Sequence, residues 1–217
     1  MSLIAANLSR VLAEIPAGVD LVVVAKGRSP AEVIEAVKEG ARIIGENYVQ
    51  EAAKAQAQIG RVVSWHFIGH LQSNKVKKAA SLFDMIQTVD SLATASEINR
   101  HGAAGRVLPV LIEVNSAREP QKSGLFPEQV AAAAAEMSAL SNVKVMGLMT
   151  MGPAGGGAAE IRTYFTATRR VFEALAQAKL PNVEMKYLSM GMSDSYREAI
   201  DEGANMVRLG RAVFGET

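Results

Sequence analysis

Cysteine is absent from the 217 residues, which excludes disulfides, thiolate metal sites and cysteine nucleophiles. An excess of charge of one sign is also lacking. Lys and Arg number 23 against 22 Asp and Glu, for a formal net charge of +1. That balance gives no electrostatic case for nucleic acid or an anionic membrane as partner. No apolar run approaches the roughly 18 residues that cross a bilayer. The opening Met1-Ser2-Leu3-Ile4-Ala5-Ala6-Asn7-Leu8 lacks the basic run and apolar core of a signal peptide, so the expected compartment is the cytoplasm. What is present is a globular balance, 49% hydrophobic and 21% charged, in a chain long enough to bury a core without staples.

Short β-rich apolar runs alternate with longer helical patterns along the whole chain. The expected strands are Leu21–Ala25, Arg42–Gly45, Trp65–Ile68, Met85–Val89, Val107–Val114, Lys144–Thr150, Glu184–Ser189 and Met206–Leu209. Several are continuous Val/Ile/Leu/Met runs, as parallel strands covered on both faces require. Helical spacing covers Pro30–Lys38, Tyr48–Ile59, Asn74–Ala80, Ser91–Arg100, Pro127–Leu140, Ala158–Ala178 and Asp194–Glu202. Ser29-Pro30 supplies a cap and first-turn pair, and Gly40, Gly102 and Gly203 stand where helix-ending glycines belong. An amphipathic stretch at Ile4–Glu14 either closes the bottom of a barrel or takes the place of an eighth helix. Strict alternation of this kind predicts an α/β fold, a single-domain (β/α)8 barrel of the TIM type over residues 1–217. An open doubly wound sheet is the second choice. The patch Gly152–Ala158 reads as a loop and lacks the Lys-Ser/Thr ending of a P-loop.

In such a barrel the active site lies at the carboxyl ends of the strands. Lys26 follows the run Leu21-Val22-Val23-Val24-Ala25, where partial desolvation would favour a neutral, nucleophilic amine. Taken alone, it reads first as a solvated strand-end lysine. Glu46-Asn47, His66, Gly69-His70, Thr88, Asn115-Ser116 and Met149-Thr150-Met151 stand at or beside other strand ends. Two further loops carry a stronger pattern. Ser189-Met190-Gly191-Met192-Ser193-Asp194 follows the seventh strand and Arg208-Leu209-Gly210-Arg211 completes the eighth. Small residues there let backbone N–H groups approach a phosphate, and Ser193 adds a hydroxyl, though it also reads as a helix cap. His66 and His70 fall on a strand and a turn, which argues against a zinc helix. Lys75, Lys77 and Lys78 read as a solvated helix face, and Glu46 and Glu51 form no obvious acid/base pair.

The stretches Gly45-Glu46-Asn47-Tyr48-Val49-Gln50-Glu51, Trp65–Lys75, Lys122-Ser123-Gly124, Leu188–Asp194 and Val207–Gly215, with Val22–Lys26, closely resemble the pyridoxal-phosphate homeostasis family. The barrel of that family is like the N-terminal domain of bacterial alanine racemase. The resemblance implies pyridoxal 5'-phosphate held as a Schiff base on Lys26, with Arg208 against the pyridine nitrogen. It assigns the phosphate to Ser193 and the backbone around Gly210 and Arg211, and sets Asn47, Met190 and Gly191 along the same mouth. The sequence departs from the family pattern where Gly210-Arg211 replaces an expected Gly-Thr, and where Gly27-Arg28-Ser29-Pro30 follows Lys26.

The expected function is therefore binding of pyridoxal phosphate for its intracellular homeostasis, without catalytic turnover. An arginine at the ring nitrogen disfavours the pyridinium form and weakens carbanion chemistry. The expected partners are the cofactor and apo-enzymes that use it, and the expected state is a monomer. The rival readings are a weak amino-acid racemase, for which Tyr48 and His66 are the remaining candidates for a second acid/base, and a barrel for another phosphate compound.

Overall fold

A computed structural model describes residues 1–102, 106–153 and 157–216. Eight parallel strands close into a barrel in sequence order, so the open-sheet alternative is set aside. The strands are β1 (Asp20–Val24), β2 (Ile43–Glu46), β3 (Ser64–Phe67), β4 (Met85–Val89), β5 (Leu108–Val114), β6 (Val143–Thr150), β7 (Val183–Ser189) and β8 (Met206–Leu209). Each lies within a residue or so of its expected bounds. The helices are α1 (Leu3–Glu14), α2 (Pro30–Lys38), α3 (Val49–Ile59), α4 (Val76–Leu82), α5 (Leu92–His101), α6 (Val130–Met137), α7 (Ala158–Ala178), α8 (Tyr196–Asp201) and α9 (Arg211–Phe214).

Local chemistry sets the boundaries. Ser29 caps α2 in a reciprocal box with Glu32, which follows Pro30 in the first turn. Gly40 and Gly203 adopt positive φ past α2 and α8, whereas Gly102 ends α5 at φ −54. The amphipathic N-terminal segment takes the vacant position in the helix ring. Glu14 of α1 accepts from Tyr196 and Arg197 of α8, and Ser2 meets Glu35 of α2. The helical patterns at 74–80 and 127–140 are each split by an opening 3-10 turn.

Alternation along the strands sorts the side chains into two compartments. Outward residues such as Ile44, Val110, Ile112, Leu188, Val207 and Leu209 join the helices in one large apolar core. Met85, Leu111 and Met149 form a smaller cluster, with Met146, Met151 and Tyr187 packed against it. The seam between β7 and β8 is short, with one ladder pair, Ser189 and Met206. It is reinforced by Asn205, whose side chain accepts from Leu188 N at 2.7 Å and donates to Lys186 O at 2.7 Å. Among the described residues no helix is long and apolar enough to cross a membrane.

Candidate functional site

The carboxyl ends of β1 and β8 border a pocket of ≈ 530 Å³ lined by Lys26, Arg28, Ser193, Arg208, Gly210 and Arg211, with Met192 on its rim. Parallel pairing of β1 with β8, Val22 against Arg208, is what brings residues 186 positions apart in sequence side by side. Lys26 is exposed, its Nζ 5.9 Å from the centroid of the Tyr48 ring. The partial burial expected for it is not found. Its loop is steered by Glu51, whose Oε2 accepts from Gly27 N at 3.2 Å. Arg28 turns to the opposite rim, donating to Gly215 O at 2.8 Å and lying over the Phe214 ring.

Across the pocket, Ser193 Oγ accepts from Ala212 N at 3.1 Å. That bond ties the loop after β7 to the first turn of α9. Arg211 pairs with Asp194 and approaches Glu216, half-exposed at the rim. Gly191 has φ 89, and a Cβ there would lie 2.7 Å from Ala199 Cβ and 2.8 Å from Tyr196 Cα. The close approach of the loop to α8 therefore requires glycine. The carbonyl of Gly191 accepts from Arg208 N at 3.1 Å, so the loop sets the height of Arg208. Met190 departs from expectation. It is fully buried in the outer core and Met192 takes the lining position. Ser189 points into the barrel, so its neighbour points at the helices.

Arg208 is 4% exposed. It donates to Ser189 Oγ at 2.7 Å and to Thr150 O at 2.9 Å. Burial pulls its pKa down to about 10, opposed by the neighbouring Glu113 carboxylate. Burial raises Glu113 in turn to about 7, with Asp90 adding to the rise and Arg208 opposing it. Ser189 continues inward to Gln87 Oε1 at 2.7 Å, and Gln87 Nε2 meets His66 Nδ1 at 2.9 Å. All four side chains are buried. Burial lowers His66 to about 4, so the ring is neutral at pH 7.

Asn47 lines two neighbouring cavities of ≈ 370 Å³ and ≈ 200 Å³ rather than the Lys26 pocket itself. Its Oδ1 is buried and finds no partner among the described residues. Gly69 packs against it so tightly that a Cβ would sit 2.2 Å from Asn47 O. Beside it Glu46, 1% exposed, is raised to about 8 by burial first and by the Glu51 charge second, against a weaker opposing bond from the Asn47 backbone. The two glutamates thus share one electrostatic neighbourhood although they occupy different elements. His66 and His70 lie on β3 and the following loop. Among the described residues no group of three or more His, Asp or Glu gathers.

Gln87 and Glu113 are site residues that motif reading passes over. The signal for each was a polar residue inside an otherwise apolar strand, Gln87 beside Thr88 in Met85–Val89 and Glu113 alone in Leu108–Val114. A buried polar side chain needs a partner, so such a residue announces a network.

A closed (β/α)8 barrel with Lys26 and Arg208 lining one pocket at its β1 and β8 mouth defines the class. It is the barrel of the family described as alanine racemase, N-terminal domain, whose model matches residues 1–217. The chain is 39% identical to the pyridoxal phosphate homeostasis protein of Pseudomonas aeruginosa, over 99% of this chain and 96% of that one. The structure of PipY from Synechococcus elongatus PCC7942 with pyridoxal phosphate bound superposes with a TM-score of 0.90. It is 36% identical and covers 98% of this chain and 100% of that one. Alanine racemase of Clostridium difficile in complex with cycloserine shares the fold alone, at 18% identity and TM-score 0.80, with 99% of this chain on 59% of that enzyme. The chain belongs to the pyridoxal phosphate homeostasis protein family.

Proposed function

We propose that this chain binds pyridoxal 5'-phosphate in the Lys26 pocket and serves to hold, buffer and deliver it rather than to turn over a substrate. One observation carries the reading. A lysine, a buried arginine, a serine hydroxyl and the Gly210–Arg211 turn converge on one pocket of ≈ 530 Å³, a size suited to a small cofactor. When bound, the cofactor supplies an aldehyde that a lysine amine captures with loss of water. Lys26 is the amine in this reading. Arg208 faces the ring nitrogen and disfavours its protonation. Ser193 and the backbone at Gly210 and Arg211 hold the phosphate, and Asn47 approaches the ring's edge from the adjoining cavities. Met190 and Gly191 act from behind the pocket by shaping the loop.

The electronics and the geometry favour a carrier over a racemase. Racemisation needs a second acid/base opposite the lysine. Neutral His66 is locked beneath the mouth, and Tyr48 stands beside Lys26 on the same rim. In this reading the protein works as a cytoplasmic monomer and apo-enzymes that require the cofactor receive it. The test is absorbance of the purified protein with pyridoxal phosphate, before and after borohydride, followed by mass mapping. A reducible band trapped on Lys26, lost in a folded Lys26→Ala variant, is the expected result. A band retained by that variant, or no adduct on the wild type, refutes the assignment and favours a barrel for another phosphate compound. Proton exchange at the α-carbon of alanine in heavy water, faster than with free cofactor, would refute the absence of turnover.

A further inference from the structure

Four buried polar side chains run in file from the mouth into the barrel: Arg208 on β8, Ser189 on β7, Gln87 on β4 and His66 on β3. Their hydrogen-bond directions follow from chemistry alone. A guanidinium has no acceptor, so Ser189 Oγ accepts from Arg208 and must send its own proton elsewhere. The acceptor in reach is Gln87 Oε1, at 2.7 Å. That orients the Gln87 amide, leaving its NH2 to donate to His66 Nδ1 at 2.9 Å and to Met206 Sδ at 3.2 Å. With Nδ1 an acceptor, the His66 proton resides on Nε2. The reverse amide orientation would leave the Ser189 hydroxyl proton without an acceptor in a site closed to solvent, at a cost of about 1–3 kcal/mol.

We propose that Ser189, Gln87 and His66 are positioning residues for Arg208. They form a one-way relay in which every donor points away from the mouth. The relay fixes the face that the guanidinium presents to the pocket, and supplies no proton toward it. The inference deepens the cofactor reading above, since it assigns the relay to the group that meets the ring nitrogen. A purely space-filling role for these side chains would leave the amide and imidazole orientations free. The relay fixes both, and it links four strands that close different sectors of the barrel.

Multiple-bond ¹H–¹⁵N correlation on the unloaded wild type reads the relay directly. The expected pattern is a neutral His66 with an unprotonated Nδ1 and a protonated Nε2, unchanged on adding pyridoxal phosphate. An Nδ1–H tautomer or an imidazolium at neutral pH would overturn the proposal without any variant. Two substitutions then separate positioning from packing. Gln87→Met keeps the length and removes both ends of the bond pair. It is expected to form the Lys26 adduct still, with affinity lowered about tenfold, equivalent to ~1.4 kcal/mol, and with a shifted absorbance maximum. Gln87→Glu keeps the acceptor for Ser189 but not the donor. It should restore affinity toward wild type while moving the His66 proton to Nδ1. Wild-type affinity and spectrum in Gln87→Met would overturn the relay. Absence of any adduct on the wild type would instead remove the cofactor reading, while the tautomer result would still stand or fall by itself.

Discussion

Glu46 offers the sharpest energetic test, because a buried carboxyl that resists ionisation stores a pH-dependent penalty. Its pKa rises from an ordinary 4.5 to about 8, first through burial and then through the Glu51 charge. A group whose folded pKa lies above its unfolded value contributes stability that is fully present below the unfolded pKa. That contribution is lost as pH rises through the folded one. The window here runs from pH 4.5 to about 8. At 1.36 kcal/mol per pH unit, the loss is about 3 kcal/mol at pH 7, with a ceiling of about 5 kcal/mol above pH 8. Local relaxation and water entry lower both figures. Glu46→Gln keeps the shape and cannot ionise, so it should match wild type at pH 5 and exceed it increasingly at pH 7 and pH 9. Urea unfolding of the ligand-free protein at these three pH values measures the difference through the midpoint at constant slope. A stability difference that stays constant across the three, or that favours wild type at pH 9, would refute the buried, proton-holding carboxyl.

Gly191→Ala forces a side chain onto a residue at φ 89 with α8 only 2.7 Å away. Positive-φ strain and overpacking together predict a loss of about 2–4 kcal/mol. It should also weaken the cofactor, because Gly191 O holds the Arg208 backbone; thermal melting and titration read the two effects. Asn205→Ala removes the amide that bridges Leu188 N and Lys186 O on β7. Two backbone groups lose their partner at the thinnest seam, for an expected cost of about 2–3 kcal/mol by urea unfolding. Arg211→Ala breaks a half-exposed pair with Asp194, so stability should change by less than about 1 kcal/mol. A larger drop would mean that the pair is structural.

The barrel was legible because each strand is a short apolar run bounded by turn residues, and the helices between carry caps such as Ser29 with Glu32. Residues at or shortly past a strand end, Lys26, Ser193, Arg208 and Gly210, were expected at the mouth for the same reason: the fold rule places them there before any contact is known. Side-chain direction was less so. Met190 belongs to a motif at the mouth, yet strand alternation turns it into the helix layer. The relay needed the barrel's register, since Gln87 and Ser189 are 102 positions apart and meet only because β4 and β7 face each other across the interior. The short helix at Arg211–Phe214 has too few residues to show a period of 3.6. Its first turn is fixed by a tertiary contact, Ser193 Oγ with Ala212 N.

The adjacency of β1 and β8 also bears on when the pocket comes into being. One wall is Lys26 and Arg28, the other Arg208, Gly210 and Arg211, and nothing local holds them together. The walls meet through the ladder that pairs Asp20–Val23 with Met206–Leu209 and through the bond from Arg28 to Gly215. Contacts of such sequence separation cost loop-closure entropy and slow folding. A partly folded chain, with its first six or seven strands in place, would thus carry the lysine without a pocket around it. Capture of a ligand between the two walls then reports ring closure itself, and ligand bound there acts as a clasp on the last seam to form.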